Sequence, residues 1–246
     1  MTESAIERGA KRLRNFRAHY RKHVGKELAG RILDFGCGAG EFLLAALDGG
    51  FDAHGIEVCP ERQTQFLHLT RDRPDVVPRF QLYDGRHLPY ETGFRCVYSW
   101  FVFEHVPDTW QALREIARVL ERGGVVAIYA EDARSAYEGH TRIPWPPFMP
   151  REFAAAYLEM FDLVDRTQFV QNDCFYITAP QITSVLASLG FEILYESATP
   201  PMYFPESANI RSEADARRAA AELMARRTDG RWKPPAENLT IFARKR

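Results

Sequence analysis

The sequence has no apolar run approaching the ~18–20 residues that span a bilayer, no C-x-x-C pair, no low-complexity tract and no excess of either charge. Each gap removes a class of protein. The opening stretch MTESAIERGAKRLRNFRAHYRK carries charges throughout and offers no continuous apolar segment, so it does not read as a secretory signal. The four cysteines, Cys37, Cys59, Cys96 and Cys174, lie far apart, which excludes a zinc ribbon or a disulfide-dense scaffold and fits a reducing compartment. Lys and Arg number 32 against 33 Asp and Glu, a net charge of −1, so the chain as a whole is no polycation built for nucleic acid. A soluble, cytoplasmic protein is expected.

What remains is ordinary globular material, 246 residues of which 46% are hydrophobic and 26% charged, enough for one generous domain over 1–246. The first 28 residues read as a helix, with Ile6, Leu13, Phe16 and Tyr20 at roughly helical spacing and cations between them. Strand-like runs follow at 31–35, 52–58, 78–83, 95–103 and 125–130, separated by helical segments at 41–48, 60–71 and 108–121. Such alternation implies crossovers and a mostly parallel sheet covered on both faces, the doubly wound Rossmann-like α/β class. The rhythm breaks at residue 131. Residues 131–176 collect Pro144, Pro146, Pro147 and Pro150 among many aromatics, and read as an insertion after the fifth strand, with its own helix near 151–163. A helix at 180–189, a strand at 191–197, a polar helix at 211–227 and a strand at 238–244 close the chain.

The sharpest local signal is ILDFGCGAG at 32–40, a strand running into Gly36, Gly38 and Gly40 and then a helix. Glycines serve where the backbone turns tightly and a ligand must approach it, and in an open parallel sheet that turn lies at the ligand-binding edge. A phosphate loop would need G-x-x-x-x-G-K-[ST], and no such lysine is present. A dinucleotide loop would need G-x-G-x-x-G, whereas here the spacing is G-x-G-x-G. Asp34, two residues before the first glycine, would repel a pyrophosphate and favour a cationic ligand such as S-adenosylmethionine. Glu57, ending the second strand, can accept ribose hydroxyls. Asp84, in the Asp84-Gly85 pair after the third, can accept from an adenine amine flanked by Val58 and by His87 or Leu88. Each acid alone has a local explanation as a turn cap or a solvated strand end; their placement at three successive strand ends is what joins them. Cys37 in this loop reads as a small packing residue.

On those motifs, residues 31–130 resemble a class I S-adenosylmethionine-dependent methyltransferase, with ILDFGCGAG, HGIEV, LYDGRHLPY and ALREIARVLERGGVVAIY carrying the likeness. The resemblance implies a seven-stranded sheet whose last strand is antiparallel, S-adenosylmethionine as cofactor, and a cofactor site at Asp34, Gly36, Gly38, Gly40, Glu57, Val58, Asp84 and Gly85.

The acceptor is less legible. An alcohol or phenol benefits from a base, and His105, in FVFEHVPD just beyond the fourth strand, has a suitable intrinsic pKa. Glu104 would orient it or pack at the rim. His140, in EGHTRIPW on the insertion, is the second candidate; either histidine can instead be structural. Glu131-Asp132 after the fifth strand is the one hint of a magnesium site, nothing else stands at metal-ligand spacing, and no metal is assigned. Tyr137, Trp145 and Phe148 are the expected substrate lid, stiffened by prolines; the same aromatics would serve equally as a small core or a homodimer surface. A small hydroxyl-bearing acceptor, such as a sugar, is expected. Two rivals stand beside it. Arg8, Lys11, Arg12, Arg14, Arg17, Arg21, Lys22 and Lys26 could track RNA phosphates, although Ser99-Trp100-Phe101-Val102 replaces the N-P-P-Y tetrapeptide of base-amine methylating enzymes and no RNA-binding module is appended. A non-catalytic cofactor-binding protein is the other.

Overall fold

The computed structural model describes residues 4–197, 210–234 and 238–246. Helix α1 (Ala5–Val24) begins at a capping box in which Ser4 and Glu7 satisfy each other's backbone, and stops where Gly25 turns left-handed at φ 75°. It is shorter than the expected 1–28; residues 1–3 lie outside the described residues. Then come β1 (Arg31–Phe35), α2 (Glu41–Asp48), β2 (Asp52–Glu57), α3 (Pro60–Leu69), β3 (Phe80–Leu82), β4 (Phe94–Trp100), α4 (Thr109–Val119) and β5 (Leu120–Ala130). After the break stand the short hairpin β6 (Tyr137–Glu138) and β7 (Ile143–Pro144), then α5 (Ala154–Glu159), α6 (Thr167–Asn172), α7 (Ala179–Ser188), β8 (Phe191–Ser197), α8 (Glu213–Thr228) and β9 (Leu239–Lys245).

Seven strands form one sheet in the order β3-β2-β1-β4-β5-β9-β8. β1 to β5 pair in parallel. β9 runs antiparallel between β5 and β8, as the resemblance implied. Side chains alternate faces along each strand. Leu33, Phe35 and Val97 join Leu113, Ile116 and Leu186 of α4 and α7 on one face. Ile32, Cys96 and Tyr98 meet Leu13, Phe16, Phe42 and Leu43 of α1 and α2 on the other. Asp34, one residue out of phase with Leu33 and Phe35, therefore faces the α1 side.

Two boundaries differ from expectation for backbone reasons. The fourth strand ends at Trp100 rather than 103, because Phe101 takes φ 54° and a 3-10 turn over Phe103–His105 follows. The helix expected over 108–121 ends at Val119, because Leu120 already pairs with Phe94 across an irregular start to β5.

The segment after β5 builds a third core. Ile143, Trp145, Met149, Tyr157 and Leu158 pack there against Ala216, Ala220 and Leu223 of α8, with Trp232 beside them. This third core, the cap, thus consists of two stretches distant in sequence. The first of them reaches the ends of β4 and β5 through the Phe175 N–H on the Glu104 carbonyl and the Gly139 N–H on Glu131.

Candidate active site

At the end of β1, Gly36, Gly38 and Gly40 all have positive φ, 74°, 57° and 80°. A Cβ on Gly36 would lie 2.4 Å from the Val102 side chain, so the loop is wedged against the segment after β4. A Cβ on Gly38 would meet nothing within 4 Å, so this backbone opens onto space. Asp34 is only 3% exposed, and its Oδ2 has no hydrogen-bond partner. Burial pushes its carboxyl up to about 7, against the pull of the Arg12 guanidinium and with a further rise from Glu57. Cys37 is buried and its thiol pushed upward by that burial, consistent with packing rather than reactivity.

Glu57 closes the loop from β2. Its Oε2 accepts from the Gly38 N–H at 2.9 Å, and Oε1 accepts from Val58 at 2.8 Å and Cys59 at 3.1 Å. Asp84 Oδ1 accepts from the N–H groups of Arg86 and His87, both at 2.8 Å, and those bonds hold its carboxyl below the usual range. Val58 is 55% exposed and lies against Gly85, leaving an apolar side chain open beside the crevice. Leu88, expected as an alternative adenine neighbour, is instead buried in the core, with its N–H donating to Glu115 at 2.9 Å. His87, the other alternative, is solvent-exposed.

A second polar cluster lies beneath the cap. Glu104 is 4% exposed and neither carboxylate oxygen has a partner; burial pushes it up to about 8. His105 Nδ1 faces the Asp173 carbonyl at 2.5 Å, and its Nε2 lies 3.1 Å from Nε2 of His140. His140 Nδ1 faces Glu138 Oε1 at 2.7 Å, while the other Glu138 oxygen accepts from the Thr141 N–H at 2.6 Å and from its hydroxyl. Burial draws His140 downward, but hydrogen bonds with Cys174 and Glu138 and the fields of Glu138 and Glu131 lift it to about 10. Burial holds His105 below its ordinary value. Glu131 accepts from the Gly139 N–H at 3.0 Å.

The two candidate bases, 35 positions apart in the chain, are thus hydrogen-bonding neighbours. Tyr137 and Trp145 line this pocket, whereas Phe148 is 51% exposed and packs its edge on Tyr176 outside it. Trp145 itself is buried, donating from Nε1 to the Tyr176 hydroxyl at 2.8 Å, with Tyr157 at its edge. Asp132 has a structural place: it pairs with Arg134 at 2.6 Å and accepts from the Ala179 N–H at the start of α7. Sequence reasoning missed Glu138, Cys174 and Arg151. Glu138 had a signal in its position two residues before His140. Arg151, stacked 4.0 Å over Tyr176 with Nε and Nη1 unpartnered, and Cys174 had none.

A glycine turn between an orphaned acid and a second-strand acid thus sits at the edge of the β3-β2-β1-β4-β5-β9-β8 sheet. The family model described as "Methyltransferase domain" matches residues 4–196. The chain belongs to the class I S-adenosylmethionine-dependent methyltransferases. Among sequence relatives, the 2-methyl-6-phytyl-1,4-hydroquinone methyltransferase of Synechocystis is 33% identical over 99 residues, covering 39% of this chain and 30% of that protein. The 27-O-demethylrifamycin SV methyltransferase of Amycolatopsis mediterranei is 34% identical over 102 residues, covering 40% and 37%. The chain spans about a third of the length of these relatives. Among solved structures, an S-adenosylmethionine-dependent methyltransferase from Mesorhizobium loti superposes with a TM-score of 0.56 at 19% identity, covering 93% of this chain and 98% of that one. That likeness is one of fold. The cofactor of the family is S-adenosylmethionine. Among the described residues of this methyltransferase, no helix is long and apolar enough to cross a membrane.

Proposed function

We propose that the protein transfers the methyl group of S-adenosylmethionine to a hydroxyl oxygen of a small molecule, a sugar or another hydroxyl-bearing metabolite. The observation that carries the cofactor half is the unpartnered oxygen of Asp34, fully buried where the glycine loop opens. An isolated buried carboxylate is costly, and an ammonium is the partner that removes the cost, whereas a phosphate would add to it. Bound there, S-adenosylmethionine supplies a methyl carbon made electrophilic by its sulfonium. Asp34 holds the methionine end together with the Gly36–Gly40 turn. Glu57 has four acceptor positions and gives three to backbone N–H groups. One is left for a ribose hydroxyl, so this acid both shapes the loop and binds. Asp84 and the exposed Val58 take the adenine.

On the acceptor side, the pocket beneath the cap is partly open and small, about 30 Å³, which suits one polar group of an acceptor better than a whole metabolite. The acceptor therefore presents a single polar group between Glu104, His140 and the free donors of Arg151, while Tyr137 and Trp145 flank it. Positioning the acceptor against the methyl carbon and excluding water supply most of the rate in such a displacement.

The small-molecule reading is also favoured over RNA by how the cations of α1 are spent. Arg8 and Arg12 lie 2.6 and 3.6 Å from Glu41, Arg12 stacks 5.4 Å over Trp100, and Arg21 pairs with Glu27. The test is calorimetry with S-adenosylhomocysteine, followed by transfer of labelled methyl groups to a panel of sugars, phenols and polyols. Binding plus transfer to a hydroxyl supports the reading. Transfer only to RNA or protein, or binding with no transfer anywhere, overturns the acceptor half.

A further inference from the structure

We propose that Glu104, His105 and His140 form a site for one divalent first-row transition ion of the zinc class. Potential ligand atoms of these three residues lie within 4.8 Å of one another. The hydrogen bonds decide which nitrogens are available. His105 donates from Nδ1 to the Asp173 carbonyl, and His140 donates from Nδ1 to Glu138. Both rings therefore turn Nε2 toward each other at 3.1 Å. Something positive must lie between those two nitrogens, either a proton carried by His140 or a metal ion bound by both rings.

A shared proton would satisfy the two rings and leave Glu104 with two buried oxygens still unpaired. An ion satisfies all three residues together. Two ligands on one tetrahedral zinc, at bonds of about 2.0–2.1 Å, stand roughly 3.3 Å apart, close to the separation observed. A carboxylate behind one histidine and a backbone carbonyl behind the other is also the arrangement that fixes metal-binding tautomers. Charge points the same way. Glu104, Glu131, Asp132 and Glu138 line the pocket, and among the described residues Arg151 is its one arginine or lysine. The neighbouring cluster of Glu138, His140 and Cys174 is the weaker alternative, because the Glu138 carboxylate is already engaged by His140 Nδ1 and Thr141, whereas that of Glu104 has no partner.

Two histidines and one carboxylate leave a coordination position open, as in sites where a metal polarises a bound oxygen. The open position would take the acceptor hydroxyl. That role rests on the methyl-transfer reading, but the metal site does not.

The test uses the full chain, stripped with chelator and then dialysed against Co²⁺ or Zn²⁺ with neither cofactor nor acceptor present. About one equivalent should bind, and Co²⁺ should give visible absorption. Glu138→Gln, which weakens the support behind His140 without removing a ligand, should weaken binding roughly 10–100-fold. Glu104→Gln and His140→Gln should weaken it further, and Cys174→Ser and the exposed His68→Ala should leave it intact. Circular dichroism checks that each variant folds; should His140→Gln fail there, Glu104→Gln decides, since it only removes an unpaired buried acid. No stoichiometric binding, or binding that survives Glu104→Gln, overturns the site. Loss in Cys174→Ser with Glu104→Gln unaffected would place the ion in the Glu138, His140 and Cys174 cluster instead and overturns it as well. Methyl transfer plays no part in this measurement, so either proposal can fail alone.

Discussion

The crevice at the ends of β1 and β2 and the pocket under the cap each hold a buried carboxylate short of partners, yet they are assembled differently. Asp34 stands inside one unbroken motif, and its loop is fixed by neighbours in sequence and by Glu57 on the adjacent strand. Glu104 meets His140, Glu138 and Cys174 only because the cap folds back over β4 and β5. The crevice is a local solution that many chains can share. The pocket depends on this chain's own segment after β5, and under the proposed function it is where the acceptor would be selected.

The largest expected effect lies where the two regions touch. Gly36→Ala places a methyl group against Val102 on a left-handed backbone. Backbone strain costs about 1–2 kcal/mol and the clash about 1–3 kcal/mol. Denaturant unfolding should register their sum. A loss below about 1 kcal/mol would mean that the loop and the β4 segment are not wedged together. Next comes Asp34→Asn, which should weaken S-adenosylhomocysteine binding by about 1.5–3 kcal/mol, the value of a hydrogen bond to a charged group. Unchanged affinity by calorimetry would remove Asp34 from its role and leave the crevice with no cation to greet.

The same acid sets a pH dependence. Its folded carboxyl titrates near 7, against about 3.9 in an unfolded chain. The folded state therefore keeps its proton longer. The contribution is fully present below about pH 4 and is lost as pH rises through 7, a change on the order of a few kcal/mol. Asp34→Asn should remove this part of the slope and be the more stable protein at pH 8. A cationic ligand that prefers the ionised acid should also expel close to one proton on binding at pH 6 and almost none at pH 8.5. Calorimetry in buffers of different ionisation enthalpy reads this directly, and equal proton release at both values would contradict it.

How much of this was legible follows from the same contrast. Helix 41–48 and strand 31–35 appear at their expected bounds because a strand, a glycine turn and an amphipathic helix each leave a periodic trace. The cap leaves little. Its strands are two residues long and its helices α5 and α6 six, too short to show a period. Nothing in residues 211–227 indicated that α8 would complete the core begun by Trp145 and Tyr157. His105 and His140 could each be singled out for chemistry, but their meeting is a tertiary fact. Glu138, two residues before His140, left a trace in the spacing; Cys174 and Arg151 joined them through backbone turns that residue spacing does not encode.

The smallest expected effect sharpens the comparison furthest. Trp145→Phe keeps a ring in the cap core and deletes one hydrogen bond to Tyr176, which still donates to the Met149 carbonyl at 2.6 Å. Stability should fall by about 1–2 kcal/mol, and S-adenosylhomocysteine affinity should not move, since the glycine loop leans on Val102 and not on the cap. A fall in affinity would show the two regions to be coupled, and the route is already visible. The Phe175 N–H, next to Tyr176, donates to the Glu104 carbonyl at 2.6 Å, and Phe103, next to Glu104, stacks 5.8 Å from Phe35 at the end of β1. A cap that loosens at Trp145 would then reach the cofactor loop through that strut, and acceptor binding would tune cofactor binding by the same path.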